Sequence, residues 1–210
     1  ANQASEKGWI VRILTGDRDL FQLVDDARDI AILYMGGGPY AKSGSPLLIK
    51  ESGVNEKLGV NPNKVVDLKA LTGDSSDNIP GVKGVGPKTA LNLLRENGDL
   101  DGVYSSLAEL DKQGEKATKG CIKGALKGKL KVDKANAYLS RELAEIIVKV
   151  PMKEEPEIGL GKVNIKELNK SLTELELSSL VRQIPLFEAT FSSGGFLANK
   201  EALESSNEIS

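Results

Sequence analysis

The string Thr-Gly-Asp occurs twice in this chain, at Thr15 to Asp17 and at Thr72 to Asp74, and each copy is followed within three residues by another aspartate. The first reads TGDRDL and sets Asp17 and Asp19 just past WIVRIL, an apolar run with the character of a buried strand. Ligands of open α/β sheets sit at the carboxyl ends of strands. The second reads LTGDSSDNIPG, a spacing that puts Asp74 and Asp77 on one side of a turn. Converging carboxylates repel one another, by about 4 kcal/mol per pair at ~4 Å and an effective dielectric of ~20. A divalent cation offsets that repulsion, and an all-oxygen ligand set favours Mg2+ or Mn2+ over zinc. The alternative is local: Asp17 and Asp74 cap helix N-termini while Asp19 and Asp77 are solvated. The chain has no histidine, which excludes Ser-His-Asp and Cys-His catalysis and the common zinc sites.

After the second string the chain reads IPGVKGVGPKTA, residues 79–90. Gly84 and Gly86 flank a tight turn ahead of a helix that opens at Pro87. Glycine there permits positive φ and lets a phosphate approach the backbone. Exposed amides and the positive end of the helix make an anion site. The candidate DNA-binding residues are therefore Lys83, Gly84, Val85, Gly86, Lys88 and Thr89, a sequence-independent grip on a nucleic-acid backbone. The bland alternative is a helix connection capped by glycines. Eight lysines fall between Lys112 and Lys134 against Glu115 and Asp133, a net +6. That run is either a phosphate-contacting surface or a solvated face. Aromatic residues make up only 4% of the chain, so no stacking platform for single strands is evident, and Tyr40 is the aromatic nearest to such a role. Cys121 reads either as a thiol activated by lysines or as a small buried residue. Trp9, Phe187 and Phe191 read as packing residues.

These groups must be held by a modest scaffold. The 210 residues are 40% hydrophobic and 28% charged, with a net charge of −2, which excludes wholesale disorder and permits a sizeable core. Trp9 to Leu14 and Ile30 to Met35 predict two buried strands. Leu20, Leu23 and Val24 predict a short helix between them, and hence a parallel crossover. PLLIK from Pro46 suggests a third strand. Beyond it, helices are expected over ESGVNEKLG, over Val65 to Leu71, from Pro87 to Asn97, and over Val103 to Leu110, Ala117 to Leu126, Lys134 to Val148 and Ile165 to Ile184. The fold expected is an α/β edge followed by an all-α domain. Residues 151–210 carry six basic and ten acidic side chains and end in a polar tail. No apolar run approaches the ~18 residues of a membrane span, ANQASEKGW has no signal-peptide pattern, and a single cysteine suits the cytosol.

TGDRDLFQLV, DLKALTGDSSDNIPGVKGVGPKTALNLL and LSSLVRQIPLF together resemble the 5′→3′ exonuclease domain of bacterial DNA polymerase I, within the flap endonuclease group. The resemblance runs to about Phe187. It implies the C-terminal part of a PIN-like nuclease core over residues 1–50, a helix–three-turn–helix (helix-hairpin-helix-like) DNA-binding domain over 51–190, and a linker over 191–210. It implies that Asp17, Asp19, Asp74 and Asp77 are catalytic metal ligands of a two-metal phosphodiesterase site using Mg2+ or Mn2+, and that the turn at Gly84, Val85 and Gly86 grips duplex DNA and holds K+. The substrate implied is a 5′ flap, nick or primer end in replication and repair. The family's earlier strand with its first Asp, its basic arch and its Glu-x-Asp-Asp cluster do not precede Ala1. The chain is thus expected to be a fragment of low activity by itself, with the rest of a polymerase I chain on both sides. A metal-independent, sequence-nonspecific DNA-binding module is the competing expectation, and an adaptor that recruits proteins through the lysine run is a third.

Overall fold

A computed structural model describes residues 1–36, 45–114, 117–151 and 164–191. Tyr40, most of the GGGP loop, Lys116 and the tail from residue 192 lie outside the described residues. The two apolar runs form β1 (Val11–Thr15) and β2 (Ile30–Tyr34), paired in parallel with Val11 opposite Ile30 and Thr15 opposite Tyr34. β3 (Leu47–Ile49) pairs antiparallel with β2, which is thus the central strand. Ile30, Ala31, Ile32 and Tyr34 are buried, the near-continuous apolar pattern of a covered strand. The crossover holds two 3-10 turns, Asp19–Leu23 and Asp26–Arg28, instead of the expected α-helix. Leu20 and Leu23 also satisfy the three-residue repeat of a 3-10 turn. Phe21 is the fully buried residue there, edge-on to Tyr34 with ring centroids 5.2 Å apart.

The helices are α1 (Asn2–Glu6), α2 (Glu51–Leu58), α3 (Val65–Thr72), α4 (Pro87–Asn97), α5 (Leu100–Gln113), α6 (Ala125–Val132) and α7 (Lys134–Ala144). α5 starts earlier than its periodicity suggests because Asp99 caps it, accepting from the Gly102 amide at 2.8 Å. The helix expected over 117–126 does not form. Lys119 and Ile122 close a tight turn, and Gly120 and Gly124, with φ of 55° and 53°, stop any helix before Ala125. α7 ends at Ala144, not Val148. The Gln22 side chain donates to the Ala144 carbonyl at 2.9 Å and accepts from the Ile146 amide at 3.0 Å.

Residues 1–150 make one compact unit and residues 151–210 a second. In the first, one core runs from the sheet (Ile32, Ile49) and the crossover turn (Phe21) through Leu71, Leu93 and Leu100 to Ile122 and Leu130. Trp9 is only half-buried and lies outside it, with the Lys7 ammonium 5.4 Å from its ring. In the second unit, the helix expected over 165–184 is divided into α8 (Ile165–Glu174), α9 (Ser178–Val181) and α10 (Ile184–Phe191). Glu176, at φ 57°, makes the first break. Phe187 is 37% exposed, so it is not a core residue of that unit.

α3 packs mainly on α7, and one buried polar contact fixes the chain between them. The Gly81 amide donates to the Ser140 hydroxyl at 2.8 Å, and Ser140 is fully buried. Gly81 has φ +61°, and a Cβ there would overlap the backbone of Thr72 and Gly73. Removing the acceptor leaves a buried amide unsatisfied, so Ser140→Ala is expected to lower unfolding stability by about 1–3 kcal/mol. Gly81→Ala, which adds backbone overlap to a left-handed φ, is expected to cost more than Ser140→Ala in the same urea titration. A smaller loss for Gly81→Ala would show that this close approach relaxes freely.

Candidate metal and nucleic-acid site

The loop after β1 folds back through its own side chains. The Asp17 amide donates to Thr15 Oγ1 at 3.0 Å, and the Asp19 amide donates to Asp17 Oδ1 at 2.9 Å. Asp17 thus spends one oxygen on the turn, and the Asp19 carboxylate meets α3. On the other side, Gly73 ends α3 at φ 69° and the chain re-crosses itself, with Asp74 and Ile79 exchanging amide–carbonyl bonds of 2.9 and 2.8 Å. Asp74 Oδ1 accepts from the Ser76 amide at 2.9 Å and from its hydroxyl. Neither Asp17 nor Asp74 is a helix N-cap, as the local alternative had it: each spends one oxygen on a turn of its own loop, and Asp74 keeps its second oxygen for the cavity.

Asp19, Asp74 and Asp77 each present an oxygen within 4.8 Å of the others. Asp17 is not one of this trio, though it lines the same cavity of about 710 Å³. Lys69, from α3, reaches between the two halves: its ammonium donates to Asp74 Oδ2 at 2.8 Å and to Asp19 Oδ1. That contact, helped by the Ser76 donors, holds the Asp74 carboxyl at about 2, well below the usual carboxylate range. Three carboxylates form an all-oxygen donor set suited to a hard divalent cation, and Lys69 is the countercharge present at two of them. Sequence reasoning missed Lys69. Five helical positions separate it from Asp74, a spacing that points residues apart on a continuous helix. Only the break at Gly73 brings them together.

The same cavity is rimmed by Pro87, the first residue of α4. This joins the acidic trio to the hairpin at Gly81–Gly86. Val82 and Val85 are buried to 2% and 4% exposure and peg the turn to the core, so Val85 offers only backbone to a ligand. Lys83, Gly84, Gly86 and Lys88 are exposed, and Thr89 is half-buried. The Lys83 amide donates to Asp133 at 2.9 Å, and the Lys129 ammonium donates to the Gly84 carbonyl at 3.1 Å. Gly84 sits at φ 74°, and a Cβ there would lie 2.7 Å from the Lys129 nitrogen. The first turn of α4 has no side-chain cap, consistent with an end open to an anion.

Much of the lysine run serves the fold. Lys127 is buried and donates to the Leu110 and Gly114 carbonyls at 3.4 and 3.2 Å, closing the end of α5. Lys131 pairs with Asp111 at 2.6 Å, and Lys119 bonds Ser106 at 2.9 Å. Lys134 lies over the Tyr104 and Tyr138 rings. Cys121 is not activated: burial and the neighbouring Glu96 push its thiol up to about 11. Among the described residues, no helix is long and apolar enough to cross a membrane.

The chain is 40% identical over 193 residues to DNA polymerase I of Synechocystis sp., covering 91% of this chain and 18% of that protein. It is 37% identical over 189 residues to the thermostable DNA polymerase I of Thermus thermophilus, covering 90% and 20%. The chain thus spans about a fifth of the length of these relatives. By fold it is similar to bacteriophage T5 5′-exonuclease with bound zinc, at TM-score 0.52 and 19% identity over 68% of this chain and 45% of that one. A T5 flap endonuclease complex with DNA and metal ions gives TM-score 0.51 at 19% identity, with the same coverage. Residues 60–178 match the family described as 5′-3′ exonuclease, C-terminal SAM fold, and the chain belongs to that family.

Proposed function

We propose that this chain is the metal-holding and DNA-gripping part of a 5′→3′ exonuclease or flap endonuclease carried within a DNA polymerase I. The observation that carries the reading is the meeting of Asp19, Asp74 and Asp77 in one cavity whose rim is the first residue of the hairpin helix. Asp19, Asp74 and Asp77 would hold Mg2+ or Mn2+, with Asp17 beside them on the cavity wall. A divalent ion there supplies Lewis-acid stabilisation of phosphoryl oxygens and a more acidic bound water. The chain's own residues do the rest. Lys69 holds Asp19 and Asp74 together, Gly84 and Gly86 expose backbone to a phosphate, and Lys83, Lys88 and Thr89 flank it. The resemblance puts K+ at the turn; here Lys129 supplies positive charge at the Gly84 carbonyl. The substrate is a duplex with a 5′ flap, nick or primer end. The functional division is 1–50, 51–190 and 191–210, flanked by the remainder of a polymerase chain.

A second reading has one observation in its favour. Because Lys69 already neutralises Asp19 and Asp74, the chain can close this site with no metal and act as a DNA-binding module alone. Calorimetric titration with Mn2+ separates the two. The nuclease reading expects saturable binding, weakened at least about tenfold by Asp74→Asn or Asp77→Asn, since each removes one charged ligand. It also expects Lys69→Met to tighten binding severalfold, because the competing ammonium is gone. Absence of Mn2+ binding in both the parent chain and Lys69→Met would leave the metal-free module.

The Asp74–Lys69 contact also sets a pH dependence. A carboxyl whose folded pKa lies below its unfolded value of 3.8, here at about 2, stabilises the fold above pH 3.8 and loses that contribution as pH falls toward 2. The Asp74 side chain is 22% exposed, so the contribution is discounted to about 1–2 kcal/mol. In metal-free urea unfolding, the stability gap between the parent chain and Lys69→Met is expected to shrink by that amount from neutral pH to pH 2. A gap unchanged with pH would show that Asp74 is not held by Lys69 in solution.

A further inference from the structure

We propose that Arg18, Tyr34 and Lys57 form a phosphate-binding wall of this same cavity and take one phosphodiester of the DNA strand beside the acidic trio. The proposal rests on the nuclease reading above and adds to it a second contact with the substrate, separate from the hairpin. Arg18 lies between Asp17 and Asp19 in the loop after β1, yet its side chain parts from theirs. Asp19 meets Lys69 on α3, whereas the Arg18 Nε donates to the Tyr34 hydroxyl at 3.0 Å. Lys57, on α2, places its ammonium 5.8 Å from the centre of the same tyrosine ring. All three residues line the cavity that holds Asp17, Asp19, Asp74 and Asp77.

Two features mark this wall as a receptor for an anion. The first is charge. Lys69 is committed to two carboxylates, but among the described residues neither Arg18 nor Lys57 has a carboxylate within ion-pair distance, although four aspartates line the same space. Two like charges gathered at one ring repel, and a bound anion reverses that. The second is rigidity. Tyr34 is buried and ends β2, and its ring packs edge-on against Phe21. A Cβ at Gly36 would overlap the ring and hydroxyl, so the chain crosses it without room for a side chain. With Nε anchored there, the guanidinium presents its terminal nitrogens as a fork suited to two phosphate oxygens. The wall stands at the carboxyl ends of two parallel strands, where ligands of such sheets bind. The hairpin helix at Pro87 on the same rim makes a nucleic-acid phosphodiester the fitting anion.

The test is fluorescence anisotropy of the full 210-residue chain with a labelled 5′-flap duplex in EDTA, titrated across salt. Removing one cationic side chain that meets a phosphate is expected to flatten the log–log salt slope by about one. Arg18→Gln with Lys57→Gln is expected to weaken binding about tenfold near 0.1 M salt and flatten the slope by about two. Tyr34→Phe keeps the ring beneath Lys57 but frees Arg18, so it is expected to fall between the double variant and the parent. Lys57→Arg is expected to bind as the parent does. An unchanged melting temperature in each variant confirms that binding, not folding, has been altered. Parent-like affinity and slope in the double variant, while Lys83→Gln with Lys88→Gln lowers both, would overturn the wall and leave the nuclease reading standing. If neither pair alters binding, the DNA-binding reading falls and the wall falls with it.

Discussion

Carboxylates drawn from stretches of chain more than fifty residues apart repel one another in a shared cavity, and here the chain supplies a cation of its own. Lys69 reaches from α3 to Asp74 in the following loop and to Asp19 beyond β1. One ammonium therefore ties the sheet to the helices at the point where chemistry is expected. The contact offsets a mutual repulsion of several kcal/mol at close range. A divalent ion entering this cavity would compete with a tethered charge and not with water alone. The backbone does the same work by other means: the Gly73–Gly81 crossing, locked by Ser140, delivers Asp74 and Asp77 to that meeting point.

The hairpin shows how a candidate binding surface and a core are made from interleaved residues. Val82 and Val85 point into the packed interior while Lys83, Gly84 and Gly86 stay outside. Lys129 and Asp133, from α6 and its end, hold the turn from behind through Gly84 and Lys83. The basic segment thus braces the hairpin turn more than it extends its exposed face. Lys127 is the clearest case, a side chain almost wholly inside the protein whose ammonium donates to carbonyls at the end of α5.

What can be read from the sequence, and what cannot, divides along local and long-range lines. The strands, the helix opened by Pro87 and the acidic pairs are legible because apolar runs, N-terminal proline and the repeated TGD string act locally. The convergence of Asp19 with Asp74 and Asp77 is legible only as a possibility, and the position of Asp17 outside the trio is not, since it depends on where the folded loop aims each carboxylate. Lys69 is hidden by a helix break. The expected helix over 117–126 fails because two glycines adopt left-handed backbone that a hydrophobic count does not register. α7 stops early for a reason farther away still, a glutamine contributed from residue 22.

That glutamine has a reach beyond ending a helix. Its amide nitrogen also donates to the Asp19 carbonyl at 3.0 Å, while its two other bonds hold the Ala144 carbonyl and the Ile146 amide. The backbone that carries a candidate metal ligand is therefore pinned to the last turn of α7. In this architecture the length of one helix becomes a coordinate of the acidic cavity. A residue inserted or deleted near position 144 acts on Asp19 without touching any charged group, making the exit of α7 a mechanical lever on the site.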